Sequence, residues 1–266
     1  MIDIPPMFSG PAGQIITALQ LLITATSYSA EVNAKTRAQY AKFSQAKEND
    51  ESKTWPSKVA MMVIYTPALI ASVSFLALRI HGVTQIGPLT IPSPSLAAVF
   101  CAIHFAKRCL EVLFLHKFSG RTGRDVPSQI AVFYTLVTIL VICAAGRNDY
   151  DATTNMLQVG SVLFGIGIVG NFYHHYLLAT LRSGSSAKYV APKGGLFSYV
   201  AAPHYLFELI GWLGIAVVSN HLNAYLVFAG MTSYLSGRSV AQNDFNRRKF
   251  DDEWPANRKN LIPFIF

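Results

Sequence analysis

Charged side chains are scarce in this sequence. Asp, Glu, Lys and Arg make up 14% of the 266 residues and hydrophobic residues make up 52%, whereas about a quarter of the residues of an ordinary soluble domain are charged. Cysteine is also rare: Cys101, Cys109 and Cys143 lie in apolar stretches at no metal-ligand spacing. Their odd number argues against a disulfide framework. The composition is thus not typical of a soluble or a disulfide-stabilised domain.

A glycine-rich nucleotide loop of the Rossmann type is missing as well. No G-x-G-x-x-G sequence follows a predicted strand, which is where such a loop would bind a dinucleotide. Residues 1–10 contain no Lys or Arg, so the apolar segment after them is expected to be a retained helix rather than a cleaved signal peptide. Any dinucleotide must therefore bind among helices and their loops.

Long apolar stretches dominate what is present. A transmembrane helix needs about 20 predominantly apolar residues. Seven stretches approach or exceed this length, at residues 11–30, 59–80, 94–116, 128–146, 156–180, 198–219 and 222–240. The sequence therefore predicts an all-α integral membrane protein with seven transmembrane helices.

The basic residues predict the orientation of these helices. Segments 31–58, 117–127, 181–197 and 238–266 hold 6, 3, 3 and 6 Lys or Arg, which is 18 of the 22 in the chain. Because cytoplasmic loops carry an excess of Lys and Arg, the N-terminus is predicted to be lumenal and the C-terminus cytosolic. The basic residues are spread over alternate loops and form no single soluble patch, so we expect no nucleic-acid partner. Segment 31–58 is expected to be a solvated helix or loop.

Polar residues interrupt four of the apolar segments at one predicted depth. His104, Lys107, Arg108 and Glu111 recur at helical spacing on one face of the third segment. The others are Asn171, His174 and His175 in the fifth segment, Arg182 just beyond it, His204, Glu208 and Trp212 in the sixth, and Arg238 at the end of the seventh. In the predicted topology all lie in the cytoplasmic half. Ionisable groups inside a bilayer are expensive and usually functional, so we expect one site.

Purely structural interpretations stay open for individual residues. Lys107 and Glu111 could form an intrahelical ion pair, and Arg108 could extend to the interface. Asn171 and Glu208 could join helices by hydrogen bonds. A metal site is not predicted, because the adjacent His174 and His175 cannot both face one ion on a helix.

Three motifs in the last third of the chain carry a resemblance. They are KGGLFSYV at residues 193–200, Pro203-His204-Tyr205 followed by Glu208 and Trp212, and RKNLIPFIF at residues 258–266. Over roughly residues 100–266 the sequence resembles the C-terminal domain of the steroid 5α-reductase family, which includes the trans-2-enoyl-CoA reductases. We therefore divide the chain at residue 100: residues 1–100 hold spans 1–2 and the basic loop 31–58, and residues 101–266 form the catalytic domain.

The resemblance implies a cofactor and its site. Family members use NADPH to reduce a C=C bond conjugated to a carbonyl. The family positions that hold the cofactor correspond here to Asn171, Arg182, Tyr189, Glu208, Trp212 and Arg238. His175 and His204 stand where the family has Asp and Asn, and we include both in the cofactor site. His104, Arg108 and Glu111 are assigned to the substrate side of the site.

Two catalytic interpretations follow from the resemblance. Steroid 5α-reductases carry a Glu early in the second span and a Tyr after the His of the third, where this chain has Tyr65 and Phe105. Tyr65 could still donate a hydrogen bond to the substrate carbonyl. The third span is more similar to enoyl-CoA reductases, in which Lys107 and Tyr205 would be the acid and its activator. However, enoyl-CoA reductases usually carry an added N-terminal ubiquitin-like domain, and with ten residues before the first span we expect none here.

The sequence thus predicts a multi-pass protein of the endoplasmic reticulum membrane. Its expected cofactor is NADPH, and its expected partners are membrane lipid and a lipophilic substrate that is a Δ4-3-keto steroid or a related terpenoid enone. A trans-2-enoyl-CoA reductase, a non-catalytic membrane binding paralogue and a lipid methyltransferase that uses S-adenosylmethionine are the alternatives. A transporter is disfavoured because the sequence has no inverted repeat.

Overall fold

The structure is a computed structural model that describes residues 7–40, 43, 52–87, 89–93, 95–145, 152–181 and 190–266. Over these residues the chain is mostly helical. The α-helices are α1 Gly10–Val32, α2 Ser57–Ile80, α3 Leu96–Leu110, α4 Asp125–Ala145, α5 Thr154–Thr180, α6 Pro203–Ser219 and α7 Leu222–Phe250. A π-helical turn, Glu111–Leu115, continues α3, and 3₁₀ turns form at Gly195–Ser198 and Asp251–Glu253. Each α-helix overlaps one of the seven predicted segments.

Two helix boundaries and two small sheets differ from the sequence prediction. Helix α6 begins at Pro203 rather than near residue 198, because proline suits a first helical turn. Helix α7 runs to Phe250, ten residues beyond its predicted end, because the hydropathy pattern does not register a helix that continues through polar residues. Strands β1 Thr54–Pro56 and β4 Arg121–Gly123 pair antiparallel, as do β2 Gln85–Ile86 and β3 Leu89–Thr90.

Side-chain caps fix where several helices begin. The Ser95 hydroxyl accepts a hydrogen bond from the Ala98 amide at the start of α3, and the Thr153 hydroxyl accepts one from the Met156 amide at the start of α5. Such caps satisfy amides that have no partner within the helix. Strand pairing of β1 with β4 adds a second constraint, because it ties the entry of α2 to the entry of α4.

Glycines bring α5 and α6 into close contact. A Cβ added at Gly167 would lie 2.3 Å from the Gly211 nitrogen, and one added at Gly214 would lie 2.6 Å from the Gly160 carbonyl oxygen. Small residues at such a crossing let two helix backbones approach, as is common in membranes. Gly165, Gly167 and Gly170 have the G-x-G-x-x-G spacing, but they lie within α5, and the last two provide room for α6.

Helix α1 packs along α7, and α2 packs against α3 and α4. At the α1–α7 crossing a Cβ on Gly237 would lie 2.6 Å from the Tyr28 carbonyl oxygen. The buried core combines residues of α2 through α7. The N-terminal helices therefore share their packing with the C-terminal ones, and the division at residue 100 stays a prediction about sequence similarity.

Among the described residues, four helices are long and apolar enough to cross a membrane: α1, α2, α4 and α5. Their outward faces carry large exposed hydrophobic side chains, for example Leu22, Ile70, Leu136 and Val169. Such a belt would be unfavourable in water and suits contact with lipid. The described residues thus form a mostly helical membrane protein.

Candidate active site

A cavity of about 420 Å³ opens among the helix ends at one side of the bundle. Its walls come from the segment after α1, the start of α2, the end of α3, the end of α5, the start of α6 and the second half of α7. The sequence predicts that the loops on this side are cytoplasmic. The wall residues used below are Tyr40, Phe43, Tyr65, Arg108, His116, Lys117, Tyr134, His175, His204, Tyr205, Glu208 and Arg238.

Arg108 is the centre of the polar contacts on this cavity. Its guanidinium donates a hydrogen bond of 2.6 Å to the Tyr65 hydroxyl oxygen and forms a 2.6 Å ion pair with Glu111. The His175 Nδ1 atom lies 3.0 Å from Arg108 and also 3.0 Å from the Glu111 carboxylate. The guanidinium carbon stands 4.7 Å from the centre of the Tyr65 ring. One arginine therefore fixes side chains of α2, of α5 and of the turn after α3.

A second set of contacts continues from Glu111 towards α6. The Lys107 ammonium lies 2.8 Å from Glu111 and donates a hydrogen bond to the Asn171 side-chain oxygen. The Asn171 amide nitrogen donates to the His204 carbonyl oxygen at 2.8 Å and to Glu208 at 3.1 Å. His104 lies 3.5 Å from the same carboxylate of Glu208. The buried charged groups of this set thus have ion-pair or hydrogen-bond partners across α3, α5 and α6, as the burial of charges requires.

A metal ion does not fit this cluster. Ligand atoms of Glu111, His116 and His175 lie within 4.8 Å of one another, close enough to be considered as a metal site. However, Arg108 and Lys107 already contact the Glu111 carboxylate at 2.6 and 2.8 Å. A divalent ion at this position would therefore be repelled by the two positively charged side chains that already contact Glu111.

Arg238 contacts the segment after α1 from the opposite wall. It is 2% exposed and forms a 3.0 Å ion pair with Glu31. It also donates to the Ala38 and Tyr40 carbonyl oxygens, and its guanidinium stacks on the rings of Tyr40 and Phe43 at 4.2 and 4.4 Å. Its terminal nitrogens are therefore used by protein groups. Arg238 is thus not an exposed side chain at the cavity mouth whose terminal nitrogens have no protein partners.

The sequence-predicted residues fall into three groups. Tyr65, Arg108, His175, His204, Tyr205, Glu208 and Arg238 line the cavity. Lys107, Asn171, Glu111, His104 and Trp212 form the layer behind them, where His104 lies 5.4 Å from Trp212 between ring centres. Arg182 and Tyr189 lie outside the described residues. Lys107 contacts Glu111 and Asn171, whereas Tyr205 lies beside Arg238, so the structure does not bring the suggested pair together.

The C-terminal motif holds another wall of the cavity. The Asn243 side chain donates to the Arg258 carbonyl oxygen and accepts from the Trp254 ring nitrogen, at 3.0 and 2.8 Å. Arg258 stacks on Trp254 at 3.9 Å and donates to the Pro192 carbonyl oxygen. Burial lowers the pKa of the Arg258 guanidinium from its ordinary value. Backbone hydrogen bonds from Ala201 and Ala202 to Lys259 and Asn260 fix the loop that precedes α6.

The glycines of the KGGLFSYV motif have a local reason. Gly194 and Gly195 have φ angles of 85° and 50°, which glycine adopts without strain. A Cβ on Gly195 would lie 2.9 Å from His174 Nε2. The same nitrogen of His174 accepts a hydrogen bond from the Leu196 amide. His174, predicted as a polar residue of the site, therefore supports the loop from behind.

Sequence reasoning missed several contributors, chiefly Glu31, Tyr40, Tyr134 and Tyr234. Tyr134 lies 6.0 Å from Tyr65 between ring centres, and the Tyr40 and Tyr234 hydroxyls are 2.9 Å apart. Glu31 alone left a signal, because a carboxylate at the end of an apolar segment requires a partner. Tyrosines in apolar helices do not stand out from ordinary packing residues.

Comparisons with known proteins agree with this architecture. Residues 129–266 match the sequence profile described as 3-oxo-5-alpha-steroid 4-dehydrogenase, more than half of the chain. The chain belongs to this family. It is 30% identical over 220 residues to human 3-oxo-5-alpha-steroid 4-dehydrogenase 2, an alignment that covers 79% of this chain and 82% of the human protein.

Two further relatives show the breadth of the family. Human 3-oxo-5-alpha-steroid 4-dehydrogenase 1 is 32% identical over 185 residues, 66% of this chain and 68% of the human protein. The very-long-chain enoyl-CoA reductase of Dictyostelium discoideum is 29% identical over 171 residues, which is 64% of this chain. The matched region spans only 57% of that enoyl-CoA reductase. Sequence identity to both kinds of relative is thus similar, but the alignments cover more of the two steroid dehydrogenases.

Proposed function

We propose that this protein is an NADPH-dependent reductase of a C=C bond conjugated to a carbonyl in a lipophilic substrate. The observation that carries the proposal is the 2.6 Å hydrogen bond from Arg108 to Tyr65, on the wall of a cavity, in a chain of the 3-oxo-5-alpha-steroid 4-dehydrogenase family. Relatives of this chain are named steroid dehydrogenases and an enoyl-CoA reductase, and both names fit reduction of a conjugated C=C bond.

Tyr65 is suited to polarise a carbonyl. Its oxygen accepts the hydrogen bond from Arg108, so its own proton is available to a substrate oxygen. The cation at Arg108 favours negative charge nearby, and Glu111 and His175 hold the guanidinium in place. A donor fixed before reaction stabilises the charge that develops on the carbonyl oxygen in the transition state. A phenol would thus take the role for which the family resemblance implies a Glu.

The cavity also suits a dinucleotide. Lys117, Arg108 and Arg238 place cationic groups on its walls, although Arg108 and Arg238 are paired with Glu111 and Glu31. Tyr40, Phe43 and Tyr205 provide flat aromatic surfaces. The Nε atom of Arg238 is buried without a hydrogen-bond partner among the described residues. When bound, NADPH supplies a hydride to the β-carbon of the substrate. We assign its binding to His175, His204, Tyr205, Glu208 and Arg238 on the walls and to Asn171 and Trp212 behind them.

The substrate we favour is a Δ4-3-keto steroid or a related terpenoid enone. Tyr65 and Tyr134 lie next to each other on the cavity wall and offer two aromatic rings to an apolar substrate, and Lys107 has two protein partners of its own. A trans-2-enoyl-CoA is the second candidate, supported by the similarity to the enoyl-CoA reductase. In that case Tyr205, beside Arg238, would be the donor to the carbonyl.

We further propose that α3, α6 and α7 cross the membrane together with the four long apolar helices. The cavity then faces the cytosol, because its lining segments are the basic ones. The lumenal N-terminus, the cytosolic C-terminus and a location in the endoplasmic reticulum membrane belong to the same proposal. NADPH would enter from the cytosol and the substrate from the bilayer.

The test is NADPH oxidation by the full chain purified in detergent, with a Δ4-3-keto steroid and a long-chain trans-2-enoyl-CoA assayed in parallel. Turnover of the steroid supports the favoured function, and turnover of the acyl-CoA supports the second. NADPH binding without turnover of either substrate would indicate a non-catalytic paralogue. Binding of S-adenosylmethionine in place of NADPH would overturn the proposal.

A further inference from the structure

Glu31, at the end of α1, is a buried carboxylate that the catalytic proposal does not use. It is 3% exposed, although it occupies the last turn of a helix whose other residues are mostly exposed. One carboxylate oxygen pairs with Arg238 at 3.0 Å, and the other accepts a hydrogen bond from the Ala38 amide at 3.0 Å. Burying a charged group costs free energy unless its partners compensate for the lost water, so the partners of Glu31 indicate its role.

These partners form one wall of the cavity. Arg238 reaches past Glu31 to the carbonyl oxygens of Ala38 and Tyr40. Tyr40 in turn shares a hydrogen bond of 2.9 Å with Tyr234 on α7. Tyr40 and Phe43, both stacked on Arg238, line the cavity. The wall is therefore held in place by the ion pair between Glu31 on α1 and Arg238 on α7.

Positive charge around Glu31 makes its carboxylate necessary. Arg37 donates to the Glu31 and Val32 carbonyl oxygens and so caps the end of α1. Burial and the neighbouring Arg238 lower the pKa of Arg37, and Glu31 opposes this shift. Without the carboxylate, two guanidinium groups would face each other across this wall.

We propose that Glu31 is a positioning residue for the cofactor: it holds Arg238 and the wall segment, residues 37–40 and Phe43, in the arrangement that binds NADPH. The identity of the ligand, NADPH, rests on the proposed function, whereas the contacts of Glu31 with the wall do not. Arg238 is held by Glu31 at the end of α1 and by the carbonyl groups of Ala38 and Tyr40, so its orientation is set by α1 and the segment that follows it.

The experiment compares Glu31→Gln with Asn223→Ala in the full chain purified in detergent. Asn223 is a matched control, because its fully buried side chain joins α7 to Phe8, Thr17 and Gln20 near the other end of α1. Both variants weaken the α1–α7 contact, but only the first touches the wall. Glu31→Asp, which keeps the charge on a shorter side chain, serves if Glu31→Gln does not fold.

Two readouts are needed. Amide hydrogen exchange of residues 34–40, measured without nucleotide, reports on the wall, and equilibrium NADPH binding reports on the consequence. We expect faster exchange at Ala38 and an NADPH Kd raised about tenfold or more in Glu31→Gln. Glu31→Asp should show smaller changes of the same sign. Asn223→Ala should lower Tm while leaving exchange of residues 34–40 and Kd within about twofold of the wild type.

Unchanged exchange at residues 34–40 in the Glu31 variants would overturn the inference. So would faster exchange with an unchanged Kd, or tighter NADPH binding by the released Arg238. If the wild-type protein binds no NADPH at all, the proposed function fails, and the exchange comparison alone decides whether Glu31 holds the wall.

Discussion

The Arg108 guanidinium donates a hydrogen bond of 2.6 Å to the Tyr65 hydroxyl, joining α3 to α2 at the cavity. This contact leaves the Tyr65 proton free for a substrate oxygen and places a cation beside it. The family resemblance implies a Glu at this position, and a phenol oriented by the arginine can donate a hydrogen bond in its place.

Removing the Tyr65 hydroxyl should impair catalysis more than binding. We expect Tyr65→Phe to lower kcat by about 100-fold or more, the effect typical of losing a donor to a developing oxyanion. The Kd for NADPH should change little because the ring remains packed, whereas Tm should fall because the buried Arg108 guanidinium loses a hydrogen-bond partner. Tyr134→Phe is the matched control, since Tyr134 is a neighbouring aromatic residue on the same cavity. Equal losses of kcat in the two variants would contradict the role of Tyr65.

Arg108→Lys tests whether one arginine must contact several groups at once. A lysine keeps the charge but cannot contact Tyr65, Glu111 and His175 together, because it lacks the planar fork of donors. We expect kcat to fall by at least about tenfold and Tm to decrease, since buried polar groups lose partners. Steady-state kinetics and thermal unfolding in detergent measure both. Wild-type kcat in this variant would show that charge alone suffices.

The glycine contact between α5 and α6 makes a stability prediction. A Cβ at Gly167 would stand 2.3 Å from the Gly211 nitrogen, whereas one at Gly165 meets nothing within 4 Å. We expect Gly167→Ala to destabilise the protein by about 1–3 kcal/mol, the usual cost of overpacking. Gly165→Ala should be neutral or slightly stabilising, because alanine favours a helix. Thermal unfolding of the two variants decides, and similar Tm values would contradict the described packing.

The C-terminal motif should control the loop before α6. Asn243→Ala removes hydrogen bonds to Arg258, Asn260 and Trp254 from one buried position. We expect lower Tm and faster hydrogen exchange at Ala201 and Ala202, whose amides bond to the C-terminal segment. Asn246→Ala is a useful control, because Asn246 is also buried on α7 and its side chain contacts Gln242 within the same helix. Comparable exchange in both variants would argue against this role.

Much of the fold follows from hydropathy, and the exceptions have physical causes. The seven apolar segments predicted every α-helix among the described residues, because apolar length is a strong signal. The end of α7 at Phe250 was not predicted, because a hydropathy pattern identifies apolar segments and not the polar turns by which a helix continues beyond them. The pairing of β1 with β4 depends on contacts between residues more than sixty apart, which no local pattern reveals.

The site shows the same division. Helical spacing predicted that His104, Lys107, Arg108 and Glu111 share a face, and all four take part in the buried polar contacts. Spacing could not predict which partners they meet across helices: Lys107 was expected near Tyr205 but contacts Asn171. Glu31 and Tyr40 were missed because their roles arise only when α1 lies against α7.

The most direct test of the central claim traces the hydrogen atom that is transferred from NADPH to the substrate. NADPH deuterated at the transferable position of the nicotinamide is incubated with the purified protein and a Δ4-3-keto steroid, and the product is analysed by mass spectrometry. The account predicts a product reduced at the C=C bond that carries one deuterium at the β-carbon, and about 100-fold less of it with Tyr65→Phe. Steroid that stays unreduced, or a reduced product without deuterium, would contradict it.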